Sequence, residues 1–310
     1  MGRSIILGAG ASRGVSYAEQ RSMPSPLDGD FFDLLQRLDT RRRFGSAVSF
    51  VIERCLERPE DRLWQSMEQL FYSMYLRATI GDVINDKPSE RRRREVIKKF
   101  TRALEVLLRE AHGKASCDYH KELIVSLSAR DAILTFNYDL VVERAIGSVL
   151  PGLPAIGGWL YGFKPRPVST ERVPAVYKLH GSSNWIRVGT KFDVRQRSWD
   201  EFDDTAGYRA HSSKESPILL PFWDKRIEDE PWSPIWRAAA SALKRSSQLL
   251  IWGYSLPPTD FKSRELFRLA ASSSRLCEVT VIDPSSVVRD RWREIFVRQR
   301  FRHYPSYLPR

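Results

Sequence analysis

The pattern of apolar and polar positions predicts a parallel β-sheet with helices between its strands. Short apolar runs occur at residues 4–7, 132–136, 176–179, 217–220, 248–252 and 278–282. In the last third of the chain such runs alternate with segments of helical periodicity, at 232–246, 261–272 and 285–298. This alternation is typical of an α/β fold with a doubly wound parallel sheet.

Between the first two strands the pattern changes to that of helices. Phe31, Leu35 and Leu38, for example, recur at helical spacing. We therefore predict a helical module of residues 31–130, inserted into an α/β domain formed by residues 1–30 and 131–310.

Two segments are predicted as irregular. Residues 151–174 are rich in glycine and proline, and we expect loops there with at most a short hairpin. Residues 187–215 are polar and without clear periodicity, so we expect an irregular excursion.

Composition limits the possible classes of protein. The chain has 310 residues, of which 42% are hydrophobic and 11% aromatic, enough for a sizeable core. No apolar stretch approaches the roughly 20 residues of a membrane-spanning helix, and no signal peptide is apparent, so we expect a soluble, cytoplasmic protein. The three cysteines Cys55, Cys117 and Cys277 are far apart. They are typical of reduced thiols and cannot supply a four-cysteine zinc site.

The charge leaves more than one interpretation open. The formal net charge is +12, with 50 Lys and Arg against 38 Asp and Glu, and arginines cluster at 41–43 and 91–94. Such clusters are common on solvated helix faces. A basic protein can also bind nucleic acid or a phosphate-bearing ligand.

Candidate chemistry begins with the turn Gly8-Ala9-Gly10-Ala11-Ser12, directly after the first predicted strand. A glycine-rich turn at the start of a helix can hold a phosphate through backbone N–H groups. Taken alone this is a weak signal, because Gly-x-Gly occurs in many tight turns.

Five motifs in order resemble the sirtuin-like (Sir2-like) family, and in particular its prokaryotic antiphage-defence branch. They lie at residues 8–12, 136–139, 178–182, 253–256 and 281–284. The resemblance implies a Rossmann-like NAD-binding domain with an inserted helical module. The chain lacks the paired Cys-x-x-Cys motifs and the Gly-Ile-Pro-Asp-Phe-Arg run of protein-deacylating sirtuins. These departures favour NAD cleavage without a peptide substrate and without zinc or another metal.

The resemblance also implies roles for individual residues. Asn137 would orient water and the nicotinamide ribose, and His180 would act as general base through a ribose hydroxyl. The residues implied in binding NAD, which is the substrate, are Gly8, Ala9, Gly10, Ala11, Ser12, Asp139, Gly253, Ser255 and Asp283.

Each residue also has a structural alternative. Asn137 could cap the predicted helix 139–149, and Asp139 could be an ordinary acid of its first turn. Ser255 could belong to a plain loop, Asp283 could be a helix cap, and His180 could be structural. His112, His120, His211 and His303 are assigned no role.

The resemblance therefore implies an NAD+ hydrolase, an NADase that forms nicotinamide and ADP-ribose and serves as effector of a bacterial antiphage defence system by NAD depletion. It further implies a homo-oligomer and a HerA-like ATPase or Argonaute-like partner. Two alternatives remain. One is an NAD-dependent protein deacylase, and the other is a non-catalytic nucleotide- or nucleic-acid-binding subunit of a defence complex.

Overall fold

The computed structural model describes most of the chain. The described residues are 2–13, 23–39, 51, 67–69, 76, 80, 90–112, 117–194, 218–219, 227–228 and 232–308.

A six-stranded parallel sheet is the centre of the fold. The strands are β1 (Gly2–Leu7), β2 (Ala132–Thr135), β3 (Ala175–Lys178), β4 (Trp185–Val188), β5 (Lys191–Val194), β6 (Ser246–Trp252), β7 (Glu278–Ile282) and β8 (Arg300–Tyr304). The sheet has the order β3-β2-β1-β6-β7-β8, and β4 pairs with β5 in a separate antiparallel hairpin. The chain thus places β2 and β3 on one side of β1 and later places β6, β7 and β8 on the other side. This is a doubly wound sheet, so the predicted fold class is confirmed.

The helices among the described residues are α1 (Ala9–Ser12), α2 (Phe31–Asp39), α3 (Glu90–His112), α4 (Asp118–Ser126), α5 (Val141–Val149), α6 (Trp232–Arg245), α7 (Phe261–Ala271) and α8 (Ser286–Ile295). Short 3-10 turns occupy Asp28–Asp30 and Val168–Thr170. Helix α6 packs on β3 and β1, and α4 packs on α5.

The core follows from the apolar strands. Ile5, Ile6 and Leu7 of β1 are each at most 1% exposed, although successive side chains of a strand point to opposite faces. A strand that is buried on both faces has a continuous run of apolar residues in its sequence, and β1 has such a run. The core then extends to Trp252 at the end of β6 and to Trp292 of α8.

The chain forms two compact units. One consists of residues 1–22 and 114–310, and the other of residues 23–113. In the second unit Phe31 of α2 stacks on Phe100 of α3, with ring centroids 5.4 Å apart. The sequence-based bounds of the helical module, 31–130, stay a prediction. Residues 91–94 lie in α3, whereas residues 41–43 lie outside the described residues.

The structure differs from the sequence-based elements in two places. Helix α8 ends at Ile295, and the chain then forms β8, which pairs with β7 and was not predicted. The hairpin lies at 185–194, where an irregular excursion was expected from residue 187, whereas 151–174 contains turns and a 3-10 turn. Trp185 and Phe192 of the hairpin are buried against Phe163. This packing stabilises strands whose local pattern is weak.

A further predicted strand, 217–220, is described only in part. Ile218 makes a single antiparallel bridge with Gly181, and residues 217 and 220 lie outside the described residues. Among the helices that the structure describes, none is long and apolar enough to cross a membrane.

Asp131 joins the start of β1 to the turn before β2. Its carboxylate accepts hydrogen bonds from the Arg3 N–H at 2.7 Å and from the Ser128 N–H at 2.8 Å. It also forms an ion pair with the Arg3 guanidinium at 3.3 Å. Burial alone would raise the pKa of Asp131, but the hydrogen bonds from Arg3 and Ser128 outweigh it and lower that pKa. The folded state therefore favours the charged carboxylate.

We expect Asp131→Asn to lower the free energy of unfolding at pH 7 by about 1–3 kcal/mol, because the amide NH2 would face donors. A lowered pKa contributes stability above the unfolded pKa of about 3.9, and that stability is lost as pH falls through the folded pKa. Urea unfolding at several pH values should thus show the difference shrinking in acid. As a control, Asp118→Asn removes an exposed partner of Lys121 and should change little. Equal stability of Asp131→Asn and wild type at pH 7 would contradict this account.

Candidate functional site

The ends of five parallel strands lie in one row across the sheet. The paired residues are Leu7 with Thr135, Thr135 with Lys178, Leu7 with Trp252, and Trp252 with Ile282. The next residues along the chain are Gly8, Phe136, Leu179, Gly253 and Asp283. All five sequence motifs therefore meet at the carboxyl edge of the sheet. With strands about 4.8 Å apart, the row from β3 to β7 is about 19 Å long.

Three glycines let the loops after β1 and β6 touch. A Cβ on Gly10 would lie 2.8 Å from Gly253 Cα, and one on Gly8 would overlap Gly253 and Tyr254. Gly253 has φ of +63°, and a Cβ there would overlap the backbone of Gly10 and Ala11. These positions need glycine because two backbones approach each other closely.

The backbone N–H groups of the glycine turn are largely engaged within the protein. Gly8 N–H donates to Trp252 O at 3.1 Å, Gly10 N–H to Gly253 O at 2.9 Å, and Ala11 N–H to Gly8 O at 2.9 Å. The predicted pyrophosphate contact of residues 8–12 stays a prediction, and it would depend on other groups of this turn.

Asn137 is held in one orientation. Its amide Nδ2 donates to Gly8 O at 2.8 Å and to Ser12 Oγ at 3.0 Å, and the side chain is buried. A flipped amide would place Oδ1 against the Gly8 carbonyl oxygen, which cannot donate a hydrogen bond. The contacts therefore bring Asn137 together with Gly8 and Ser12 and leave Oδ1 as the acceptor end of the amide. Asp139, not Asn137, accepts the Val141 N–H at the start of α5, at 3.1 Å.

His180 lies beyond the end of β3, against a carboxylate that sequence reasoning missed. Its Nε2 is 3.3 Å from Asp260 Oδ2, and both side chains are buried. Asp260 is the N-cap of α7 and accepts the Ser263 N–H at 3.2 Å. The sequence signal for such a cap was present, because an Asp precedes the helical segment. Its contact with His180 crosses 80 residues of chain and has no local signal.

Aromatic rings join β2, β3 and β6 at this edge. Phe136 stacks on Tyr254 with centroids 3.9 Å apart and an interplanar angle of 5°. The edge contact between Phe136 and His180 has a centroid distance of 5.0 Å. These rings form an apolar wall beside Asn137 and His180.

A buried ion pair lies below the candidate site. Lys178 Nζ is 3.1 Å from Glu143 Oε1, and both side chains are at most 1% exposed. Lys178 also donates to the carbonyl oxygen of Asp139, and the Tyr161 hydroxyl donates to Glu143 at 3.0 Å. Burial, together with the Glu143 charge, raises the pKa of Tyr161 well above its usual value, so Tyr161 stays a neutral donor. The pair ties β3 to the segment that follows β2.

The remaining predicted residues are more dispersed. Asp139 is buried beside α5, and Ser255 is exposed, with its carbonyl oxygen accepting from Arg291 at 3.2 Å. Asp283 is buried after β7, and its Oδ1 accepts the Ser285 N–H at 2.9 Å. Burial raises the pKa of Asp283, although the Ser285 N–H and the nearby His303 oppose the shift. Their roles in binding stay predictions.

Several buried hydroxyls that are close in sequence to His180 or Asp260 lack a partner. In the described part of the chain, no hydrogen bond is made by Ser182 Oγ, Ser183 Oγ, Thr259 Oγ1 or Ser263 Oγ. Leaving a buried polar group unsatisfied costs about 1–3 kcal/mol. Among the described residues, no group of three or more His, Cys, Asp or Glu could hold a metal ion, and the expected absence of a metal stays a prediction.

No protein-family model matches the chain, and no curated protein matches it. Several solved structures align with the chain at low sequence identity. One, from work on the mechanism and regulation of Sir2 enzymes, has 14% sequence identity and a TM-score of 0.42, over 98% of this chain and 87% of that one. Another is Sir2 with an inhibitor, 2′-O-acetyl-ADP-ribose and a deacetylated p53 peptide, at 13% identity, TM-score 0.42 and coverage of 97% and 87%. A third, from work on sirtuin substrate affinity, has 13% identity, TM-score 0.40 and coverage of 97% and 88%. Similarity at this level carries no argument about activity.

We expect Lys178→Met to lower the free energy of unfolding by about 3–5 kcal/mol, because it leaves the Glu143 charge buried and unpaired. The double variant with Glu143→Gln removes both charges and keeps an acceptor for Tyr161. It should therefore lose less than the sum of the two single variants in urea unfolding. Lys164→Met, which breaks an exposed pair with Asp193, is the control and should cost about 1 kcal/mol or less. Additive losses in the double variant would show that Lys178 and Glu143 are not coupled.

We expect Asp283→Asn to raise stability at pH 7. A carboxyl whose folded pKa is raised contributes stability below its unfolded pKa of about 3.9, and that stability is lost as pH rises through the folded pKa. Asparagine keeps the acceptor for the Ser285 N–H without the charge. Thermal unfolding should give a higher Tm than wild type at pH 7 and nearly the same Tm at about pH 3. A lower Tm at pH 7 would mean that the folded protein favours the charged form of Asp283.

Proposed function

We propose that this protein cleaves the nicotinamide–ribose bond of NAD+ with water. The observation that supports this most is the position of Asn137 and His180. Asn137 is hydrogen-bonded to Gly8 and Ser12 after β1, and His180 lies beside Phe136 at the neighbouring strand ends. An amide acceptor and an imidazole base at one sheet edge fit the hydrolysis of a sugar–nitrogen bond.

The strand order at this edge fits a dinucleotide site. In a doubly wound sheet the binding crevice lies outside the carboxyl ends of the strands, where the strand order reverses. Here that point lies between β1 and β6, where the loops of Gly10 and Gly253 meet. The proposal places the pyrophosphate there, the nicotinamide ribose toward His180 and the adenosine ribose toward Asp283.

The reaction balances without a further reactant. The bond between ribose C1′ and the nicotinamide nitrogen breaks, and the electron pair leaves with neutral nicotinamide. Water adds to the cationic C1′, and one proton is released, which gives ADP-ribose. Holding water and sugar in a reactive geometry lowers the entropic part of the barrier.

Asn137 would orient the attacking water or a ribose hydroxyl. Both N–H bonds of its amide are used by Gly8 O and Ser12 Oγ, so the amide cannot turn without losing them. Its Oδ1 can then accept a hydrogen bond from water or sugar in a fixed direction. His180 would take the released proton through a ribose hydroxyl, since an imidazole titrates near neutral pH.

The proposed cellular role is that of an antiphage effector that depletes NAD. The proposal includes a homo-oligomer and a HerA-like ATPase or Argonaute-like protein as partner. A protein deacylase would use the same two residues, and the chain's three cysteines argue against the zinc module of that class. The basic net charge of +12 is the feature that favours a nucleic-acid-binding subunit.

The decisive test is NAD+ turnover by the purified full-length protein, alone and with the protein encoded next to it, with acyl-peptide absent. We expect nicotinamide and ADP-ribose in equal amounts by chromatography. Asn137→Ala and His180→Ala should each lower kcat by about 100-fold or more, because each removes a group that acts in the transition state.

Controls separate loss of chemistry from loss of fold. Asp290→Asn removes an exposed carboxylate on α8 and should keep wild-type turnover. Circular dichroism and thermal unfolding should show all variants folded. Nicotinamide release only with acyl-peptide would favour the deacylase. Saturable NAD+ binding without turnover under any condition, with salt-sensitive DNA binding, would favour the binding subunit.

A further inference from the structure

One carboxylate, that of Asp260, is shared by three groups at the candidate site. Its Oδ1 accepts the Ser263 N–H at the start of α7, at 3.2 Å. Its Oδ2 accepts the Tyr254 hydroxyl at 2.9 Å and lies 3.3 Å from His180 Nε2. The side chain is only 3% exposed. Asp260 therefore connects the N-terminus of a helix to side chains from two strand ends.

The contact constrains the protonation of His180. A neutral imidazole carries one proton, on either Nε2 or Nδ1. With the proton on Nδ1, the Nε2 lone pair would face the negatively charged Oδ2, and the two would repel. With the proton on Nε2, the ring donates toward Asp260. The carboxylate thus favours the Nε2–H form, in which Nδ1 is the basic nitrogen.

The same residues also hold the ring in place. The Tyr254 ring stacks on Phe136, and Phe136 contacts the edge of His180. The Tyr254 hydroxyl in turn binds Asp260. These contacts form a ring of four residues, because His180 in turn lies against Asp260. A movement of His180 or Asp260 would therefore disturb Tyr254 or Phe136. A buried carboxylate that orients a histidine is a recurring arrangement in sites that need a base.

We propose that Asp260 is a positioning residue for His180 and fixes its Nε2–H form, in which Nδ1 is the basic nitrogen of the ring. The catalytic part of this inference rests on the proposed function, because only there does His180 act as a base. The tautomer itself is a property of the folded protein and does not depend on NAD.

The measurement is the tautomer of His180 in the full-length protein labelled with 15N-histidine. Two-bond and three-bond 1H–15N correlations distinguish Nε2–H from Nδ1–H, and His180→Asn identifies the His180 signals by their loss. The spectrum is recorded at rising pH, beyond the ordinary histidine pKa of about 6.5, until the His180 signals no longer change, so that the neutral ring is observed. We expect wild type to show Nε2–H. If His180 of wild type carries its proton on Nδ1, the proposal is wrong, and no variant at Asp260 is needed to show it.

Asp260→Asn should reverse the tautomer. Asparagine is a good N-cap and would keep Oδ1 on the Ser263 N–H. The amide nitrogen would then take the place of Oδ2 and donate toward His180, which favours Nδ1–H. Asp290→Asn is the matched control, since it removes an exposed carboxylate of α8, and its His180 signals should match wild type. Unchanged His180 signals in folded Asp260→Asn would overturn the proposal.

Turnover provides a second, separable readout. Asp260→Asn should lower kcat for NAD+ by about 100- to 10,000-fold with little change in KM. The reason is that His180 would carry its proton on the wrong nitrogen to act as base, whereas the residues that bind NAD+ are unchanged. Adding Asp260→Asn to His180→Ala should cause little further loss, since both act through one ring. If wild type shows Nε2–H but turns over no NAD+, the proposed function fails and the positioning of His180 by Asp260 stands. A wild-type kcat in Asp260→Asn would overturn its catalytic part.

Discussion

The register of β1 with its two neighbours is the constraint on which the candidate site depends. Leu7 pairs with Thr135 on one side and with Trp252 on the other, and this alignment places Gly8, Phe136 and Gly253 at one level. A shift by a single residue would turn side chains to the opposite face of the sheet and separate these groups. The site is therefore a consequence of the backbone hydrogen bonding that aligns β1 with β2 and β6.

The glycines at this edge have a structural explanation that precedes any ligand. Gly8, Gly10 and Gly253 are needed because two loops lie against each other, with N–H groups of the loop after β1 donating to carbonyl oxygens at the end of β6. The close contact of the loops also fixes the carbonyl of Gly8, which in turn holds the Asn137 amide. Packing of the loops and orientation of the candidate catalytic amide are thus parts of one arrangement.

Two buried charged contacts have different functions in this arrangement. Lys178 and Glu143 are both almost fully buried, and they connect strand to helix below the site. Desolvation offsets most of the attraction in such a pair, so its net contribution to stability is small even though removal of one partner leaves an uncompensated charge. Asp260 lies at the edge of the sheet and contacts the imidazole of His180. Its effect falls on the protonation of His180.

The sequence by itself determined the α/β fold class and most elements of the sheet, because strand and helix periodicity are local properties. It also indicated Asn137 and His180 as candidates, through the resemblance of the short motifs that contain them. Only the tertiary structure decided that β8 extends the sheet, that Trp185 and Phe192 bury a hairpin, and that Asp260 contacts His180. These features arise between residues distant in the chain, and their energies depend on burial and register, which no local pattern contains.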